Sequence, residues 1–258
     1  MKNNLKNIAI ALIIMATTGS VTSCKKESAT PAPTTTTAQT GVLGFHIHTM
    51  IDTAEADSGL VATDLTGRRF QLDIAQFYIS NVKLKKLDGT FITVDNVYLL
   101  KTMAQEEYIV GNVPAGNYKS VSFDVGLDAT TNAKNPSSFA ASSPLSAQTP
   151  SMWFGSTSQG YMFMNIEGKA DTTAGNNGSV NMSFTYQLGT SSMLRTVNLP
   201  DNPFTITAGQ TQQVHFYADF GKLLKGINFK TQSMGMPSMS PAVAVQVADS
   251  IPIMFRYE

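Results

Sequence analysis

Two of the three histidines in this 258-residue chain stand two positions apart, in Phe45-His46-Ile47-His48. In an extended strand, side chains at i and i+2 leave the same face. His46, His48 and Met50 therefore project together while Phe45 and Ile47 face the other way. Two imidazoles so placed can reach one metal ion, and imidazole suits copper or zinc. A strand with a polar outer face that happens to carry two histidines has the same pattern, so both readings stand at this level. The third histidine, His215, lies in Val214-His215-Phe216-Tyr217-Ala218-Asp219, on a strand face shared with Tyr217 and Asp219. Whether that face meets the first pair is open.

Thioethers form a second group of soft donors. Met234, Met236 and Met239 crowd a loop-like segment with Gly235 and Pro237. Such clusters select Cu(I), but methionine also fills gaps in cores and on adaptable surfaces. Met152, Met162 and Met164 make a looser cluster around Trp153, the single tryptophan. Nucleophilic catalysis has little to work with: there is no Gly-x-Ser-x-Gly elbow, and nothing pairs a given serine with His215. Asp124 and Asp128 flank Gly126, where turn formation is the ordinary use of aspartate. The expectation is a binding protein and not an enzyme.

The N-terminus has the order of an export signal. Lys2 and Lys6 supply positive charge, Ile8 to Met15 form a short apolar run, and small residues lead to Val21-Thr22-Ser23-Cys24. The run is far below the roughly 20 residues of a spanning helix. The last four residues fit a lipobox, which makes residues 1–23 a signal peptide and Cys24 the lipid-bearing first residue of the mature protein. Because Cys24 is the only cysteine, no intrachain disulfide can form, and acylation removes the thiol. The alternative is an ordinary secretory signal with an incidental cysteine. Lys25 follows the cysteine where an aspartate would favour the inner membrane. The expected address is the cell envelope, lipid-anchored to the outer membrane at its periplasmic face or at the cell surface. Residues 24–40 hold a proline- and threonine-rich run that cannot bury a core and reads as a flexible tether.

Residues 41–258 are ample for one domain. Charged residues make up 14% of the chain and the net charge is zero, so no basic surface exists to neutralise phosphates, and nucleic acid is not an expected partner. Period-two alternation runs from Phe70 to Leu87, turns at Asp88-Gly89, and returns over Phe91 to Leu99. Further strands are expected at Tyr118–Leu127, Tyr161–Glu167, Val180–Leu188, Phe204–Ile206 and Gln212–Phe220, with a hairpin turn at Asn176–Ser179. Helical period is rare, and Gly221–Gly226 is at most a short turn. These features predict an all-β, antiparallel β-sandwich in a single domain.

Several segments together resemble one family, the MbnP-like periplasmic metal-binding proteins. They are Phe45-His46-Ile47-His48, then Phe77 to Leu84, then Val125 to Asp128 with Asn132, and Met152-Trp153-Phe154 followed by Gly160-Tyr161 and Glu167-Gly168. Asp219-Phe220-Gly221-Lys222 is similar to the family's late strand and turn. The resemblance runs through most of residues 41–258. It implies a β-sandwich-like fold and a copper-linked role outside the cytoplasm. It also implies a dihaem peroxidase-like partner that oxidises a tryptophan to kynurenine, with Trp153 the natural candidate, and copper held by histidines with that residue. The leading expectation is thus a copper-capturing or copper-buffering lipoprotein with His46 and His48 as ligands. His215 and Met234, Met236 and Met239 are lesser candidates. The rival is a metal-free surface sandwich binding a glycan or protein, in which the histidines do not converge.

Overall fold

A computed structural model describes residues 39–147 and 152–258. The signal peptide, Cys24 and nearly all of the tether lie outside the described residues. Ala38–Glu258 cluster as one compact unit.

Apolar alternation builds two sheets. The smaller comprises β1 (Thr40–Ile51), β2 (Ala54–Glu55), β7 (Glu107–Pro114), β13 (Thr211–Asp219) and β15 (Phe255–Tyr257). Strand β1 is its centre. It runs parallel to β13 from Val42 opposite Thr211 to Met50 opposite Asp219. Its other edge pairs antiparallel with β7 up to His46, and with β2 from Met50. The larger sheet contains β3 (Val61–Thr63), β4 (Arg69–Lys86), β5 (Phe91–Thr93), β6 (Tyr98–Lys101), β8 (Gly116–Val125) and β9 (Met162–Ala170). It is completed by β10 (Met182–Gly189), β11 (Arg195–Asn198), β12 (Phe204–Ile206) and β14 (Met234–Gly235). Its main order is β11-β8-β4-β9-β10-β14.

Two findings correct the antiparallel sandwich expected from sequence. Both sheets are mixed, with β1–β13 and β10–β14 parallel. Alternation fixes which face a side chain takes but says nothing of a partner's direction, and β1 and β13 are too far apart in the chain for a hairpin to decide it. Helices also contribute. Pro241–Asp249 is a nine-residue helix with Pro at its first turn and Ala244, Val247 and Ala248 buried. The return strand after Gly89 is broken into β5 and β6, and Asn96 between them has a φ of 57°.

The two sheets face each other across aromatic rings. Phe45, Phe216 and Phe255 from the smaller sheet meet Phe123 from the larger at centroid separations of 6.0, 5.6 and 5.1 Å, and Phe77 meets Phe255 at 5.7 Å. Strand β4 is buried on both faces from Ala75 to Ser80, as expected of a covered central strand. On its outer side Tyr78, Leu127, Leu145, Met152, Tyr161 and Phe163 form a second cluster. Two hydroxyls fasten the covering segment: Tyr78 donates to Pro144 O at 2.9 Å and Tyr161 to Leu145 O at 2.7 Å.

A fixed corner ends the β1–β13 ladder. The Asp219 carboxylate is fully buried and accepts from the backbone N–H groups of Asp52, at 2.8 Å, and Lys222, at 3.3 Å. Asp52 in turn accepts from Leu65 N at 2.7 Å. A Cβ at Gly221 would lie 2.7 Å from this held Asp52 carboxylate, which explains glycine there. Phe123→Ala should cost about 3–5 kcal/mol by opening a cavity between the sheets. The readout is a lower urea midpoint at unchanged slope, and an unmoved midpoint would refute the packing role. Gly221→Ala should cost roughly 1–3 kcal/mol through overpacking, measured the same way. A neutral outcome would show that the Asp52 turn yields.

Candidate metal centre

The burial pattern of β1 follows its amphipathic sequence. Phe45 and Ile47 are in the core, while His46 and His48 stand half-buried on the outer face. The parallel register sets His46 opposite His215 and His48 opposite Tyr217. Phe216 and Ala218 are buried, so His215 and Tyr217 share the outer face with the first pair.

The acidic side chains arrive through a gap in the ladder. Strand β7 leaves β1 at His46 and β2 joins it at Met50. Between them the backbone of β1 is satisfied locally: Ile47 N donates to Glu106 O at 2.9 Å, and Ala56 N donates to Thr49 O at 2.9 Å. Glu106 enters from the residue before β7, and Glu55 from β2.

Three imidazoles and three carboxylates then form one continuous row. His46 Nε2 lies 3.2 Å from Glu106 Oε2, and His48 Nδ1 lies 3.1 Å from Glu106 Oε1 and 3.2 Å from Glu55 Oε1. His46 Nδ1 is 3.1 Å from His215 Nδ1, which is 3.2 Å from Glu258 Oε2. The ring centroids of His46 are 4.5 Å from those of His48 and 4.7 Å from those of His215. One donor atom each from His46, His48 and Glu106 lies within 4.8 Å of the other two. Two imidazole nitrogens and a carboxylate oxygen so close together fit a divalent transition metal.

A buried lysine sets the loop that presents Glu106. The Lys101 ammonium, on a residue only 1% exposed, donates to Thr49 Oγ1 at 3.0 Å and to the carbonyls of Thr102 and Gln105. Thr49 follows His48 on β1, and Gln105 precedes Glu106, so one side chain ties both halves of the site. Burial pushes this ammonium down to about 8, with the Glu106 charge pulling the other way. The Tyr108 hydroxyl adds a second tie, donating to Gln105 O at 2.8 Å and accepting from Thr102 N at 3.1 Å. Burial tends to raise the Glu106 carboxyl, but the hydrogen bond from His46 and the charge of His48 outweigh it. The net shift is below the usual carboxylate range.

The remaining sequence candidates lie elsewhere. Met234 is on β14, paired beside Thr185 at the edge of the larger sheet, and Met236 and Met239 follow it toward the helix at Pro241. These thioethers are not brought to the histidines. Trp153 bridges Tyr161, with ring centroids 4.9 Å apart, and packs against the second cluster. That cluster covers the outer face of the larger sheet, whereas the histidines line the outer face of the smaller one, so the structure does not bring Trp153 to them. Met152 and Met164 are core residues. Asp128 caps a helical turn through Thr131 N, and Asp124 accepts from Thr196 and Asn81. Glu106, Glu55, Glu258 and Lys101 were not singled out from the sequence. The convergence of the histidines is the opposite of what the metal-free rival requires.

Residues 40–240 match the sequence profile of the MbnP family. No curated protein matches the chain. Among solved structures, MbnP from Methylosinus trichosporium is similar in fold, with a TM-score of 0.50 at 15% identity, covering 72% of this chain and 78% of that one. The profile spans β1 through β14 and includes His46, His48, Glu106 and His215. This chain belongs to the MbnP family.

Proposed function

We propose that this protein is a non-enzymatic, lipid-anchored protein of the cell envelope that captures or buffers copper at His46, His48 and Glu106. The observation that carries the reading is the convergence of two imidazoles and one carboxylate within 4.8 Å. Imidazole and carboxylate donors suit Cu(II) and also accept zinc. Copper is favoured here by the role that family resemblance implies. The outer-membrane address rests on Cys24 and Lys25. A dihaem peroxidase-like partner acting on Trp153 belongs to the same reading, but a modified Trp153 would lie in the second cluster and not among these ligands.

Both ligand types are poised on the outer face without further folding. The ties from Lys101 and Tyr108 hold the Glu106 loop, so little ordering remains to be done on binding. Copper must displace the protons that now lie between the rings and carboxylates, because only a neutral imidazole nitrogen with a free lone pair can coordinate.

His46→Ala/His48→Ala should lower copper affinity by more than the roughly 10–100-fold typical of losing an outer-shell partner. Competition titration of the full chain against a chelator of known affinity measures this, and an unchanged affinity would remove both residues from the site. Copper affinity should also weaken as pH falls below about 6, where free imidazole becomes protonated. Glu106 is held below the usual carboxylate range, so its own protonation does not account for a loss in that window. A titration in which affinity holds to pH 5 and falls only near pH 4 would assign the loss to carboxylates instead.

A further inference from the structure

We infer that the histidine face holds two metal ions bridged by the imidazolate of His46, with the second ion on the side of His215 and Glu258. This rests on the proposed function, since the first ion is the one at His46, His48 and Glu106.

The carrying observation is that both ring nitrogens of one imidazole face ligand atoms. Nε2 of His46 is 3.2 Å from Glu106 Oε2, on the side of the first ion. Nδ1 is 3.1 Å from Nδ1 of His215, which is itself 3.2 Å from Glu258 Oε2. Two imidazole nitrogens each about 2.0–2.1 Å from a shared tetrahedral ion stand a little over 3 Å apart. The His46–His215 separation is therefore the spacing of two donors on one cation.

Proton and charge bookkeeping agree with this arrangement. Without metal, the contact between the two Nδ1 atoms requires a proton between them, while Nε2 of His46 uses its own proton to reach Glu106. Two cations take the places of both protons: the one on His46 passes to solvent as that ring becomes imidazolate, and His215 stays neutral by carrying its proton on Nε2 while Nδ1 binds the second ion. Glu55, Glu106 and Glu258 supply three negative charges and the imidazolate a fourth, equal to the charge of two divalent cations. His215 and Glu258 are 46% and 43% exposed, leaving room for water to complete the second ion's coordination. Glu258 follows β15 and donates its backbone N–H to His215 O at 3.3 Å, which fixes it at this edge. Glu258 lies beyond the residues matched by the family profile, whereas His215 lies within them, so family membership does not imply the carboxylate of this half.

The test is titration of the demetallated full chain with Cu(II) chloride at neutral pH, with bound copper measured by mass spectrometry and unpaired spin by electron paramagnetic resonance. The expected result is two copper ions per chain with a spin signal well below that of two isolated Cu(II) ions, because an imidazolate bridge couples the spins antiferromagnetically. His215→Ala/Glu258→Gln changes two surface positions and should bind one ion with the full signal of a single Cu(II) and an unaltered circular dichroism spectrum. One ion with full signal in the unsubstituted chain overturns the bridge and leaves the proposed function standing. Two ions with undiminished signal overturn the bridge as well. A double variant that still binds two coupled ions removes His215 and Glu258 from the site, and no bound copper in the unsubstituted chain overturns both readings.

Discussion

His46 stands beside His215 because β1 and β13 run parallel in one register, with no bulge between Val42 and Met50. That register is set from the other side of the sheet. Phe45 and Ile47 on β1, with Val214, Phe216 and Ala218 on β13, must all face the core. A slip of one residue would expose these and bury the imidazoles. The aromatic contacts of Phe45 and Phe216 with Phe123 thus position the histidines without touching them. Burial of apolar area stabilises the strand pair, and the polar face inherits its geometry.

The second constraint is the break between β7 and β2. A continuous strand along that edge would satisfy β1 by its own backbone and leave no route for the carboxylates. The break instead admits a loop whose carbonyls would be stranded in the interior without the Lys101 ammonium and the Tyr108 hydroxyl. Burying that charge is costly, which is why its affinity for a proton falls. It is tolerated because the ammonium finds three oxygen acceptors. The positive group sits on the core side of β1, beneath Thr49, while the carboxylate of Glu106 reaches the outer side.

The pairing of His46 with His48 on one face was legible because it depends only on the two-residue period of a strand. The long β4, the turn at Asp88-Gly89 and the strand carrying His215 were legible for the same reason. What joins His215 to His46 was not, because a parallel partner 169 residues away leaves no periodic mark. Glu106 is one ordinary acidic residue in Gln105-Glu106-Glu107, and lysine is a residue type almost never found buried, so Lys101 carried no signal at all. In the helix at Pro241, alternating Val243, Val245 and Val247 masked a helical spacing whose buried members are Ala244, Val247 and Ala248. The methionine loop and Trp153 drew attention by composition, and the fold assigns them to other surfaces.

The 169-residue separation also orders events in time. Non-local pairings of this kind form late, since the entropy of closing so long a loop must be offset by contacts made elsewhere first. A folding chain therefore presents the His46–His48 pair early, on a strand not yet joined by β13, and its third imidazole last. The full donor row is a property of the finished fold, so any ligand that engages donors on both β1 and β13 would be coupled to the completion of folding and would stabilise the closure that was slowest to form.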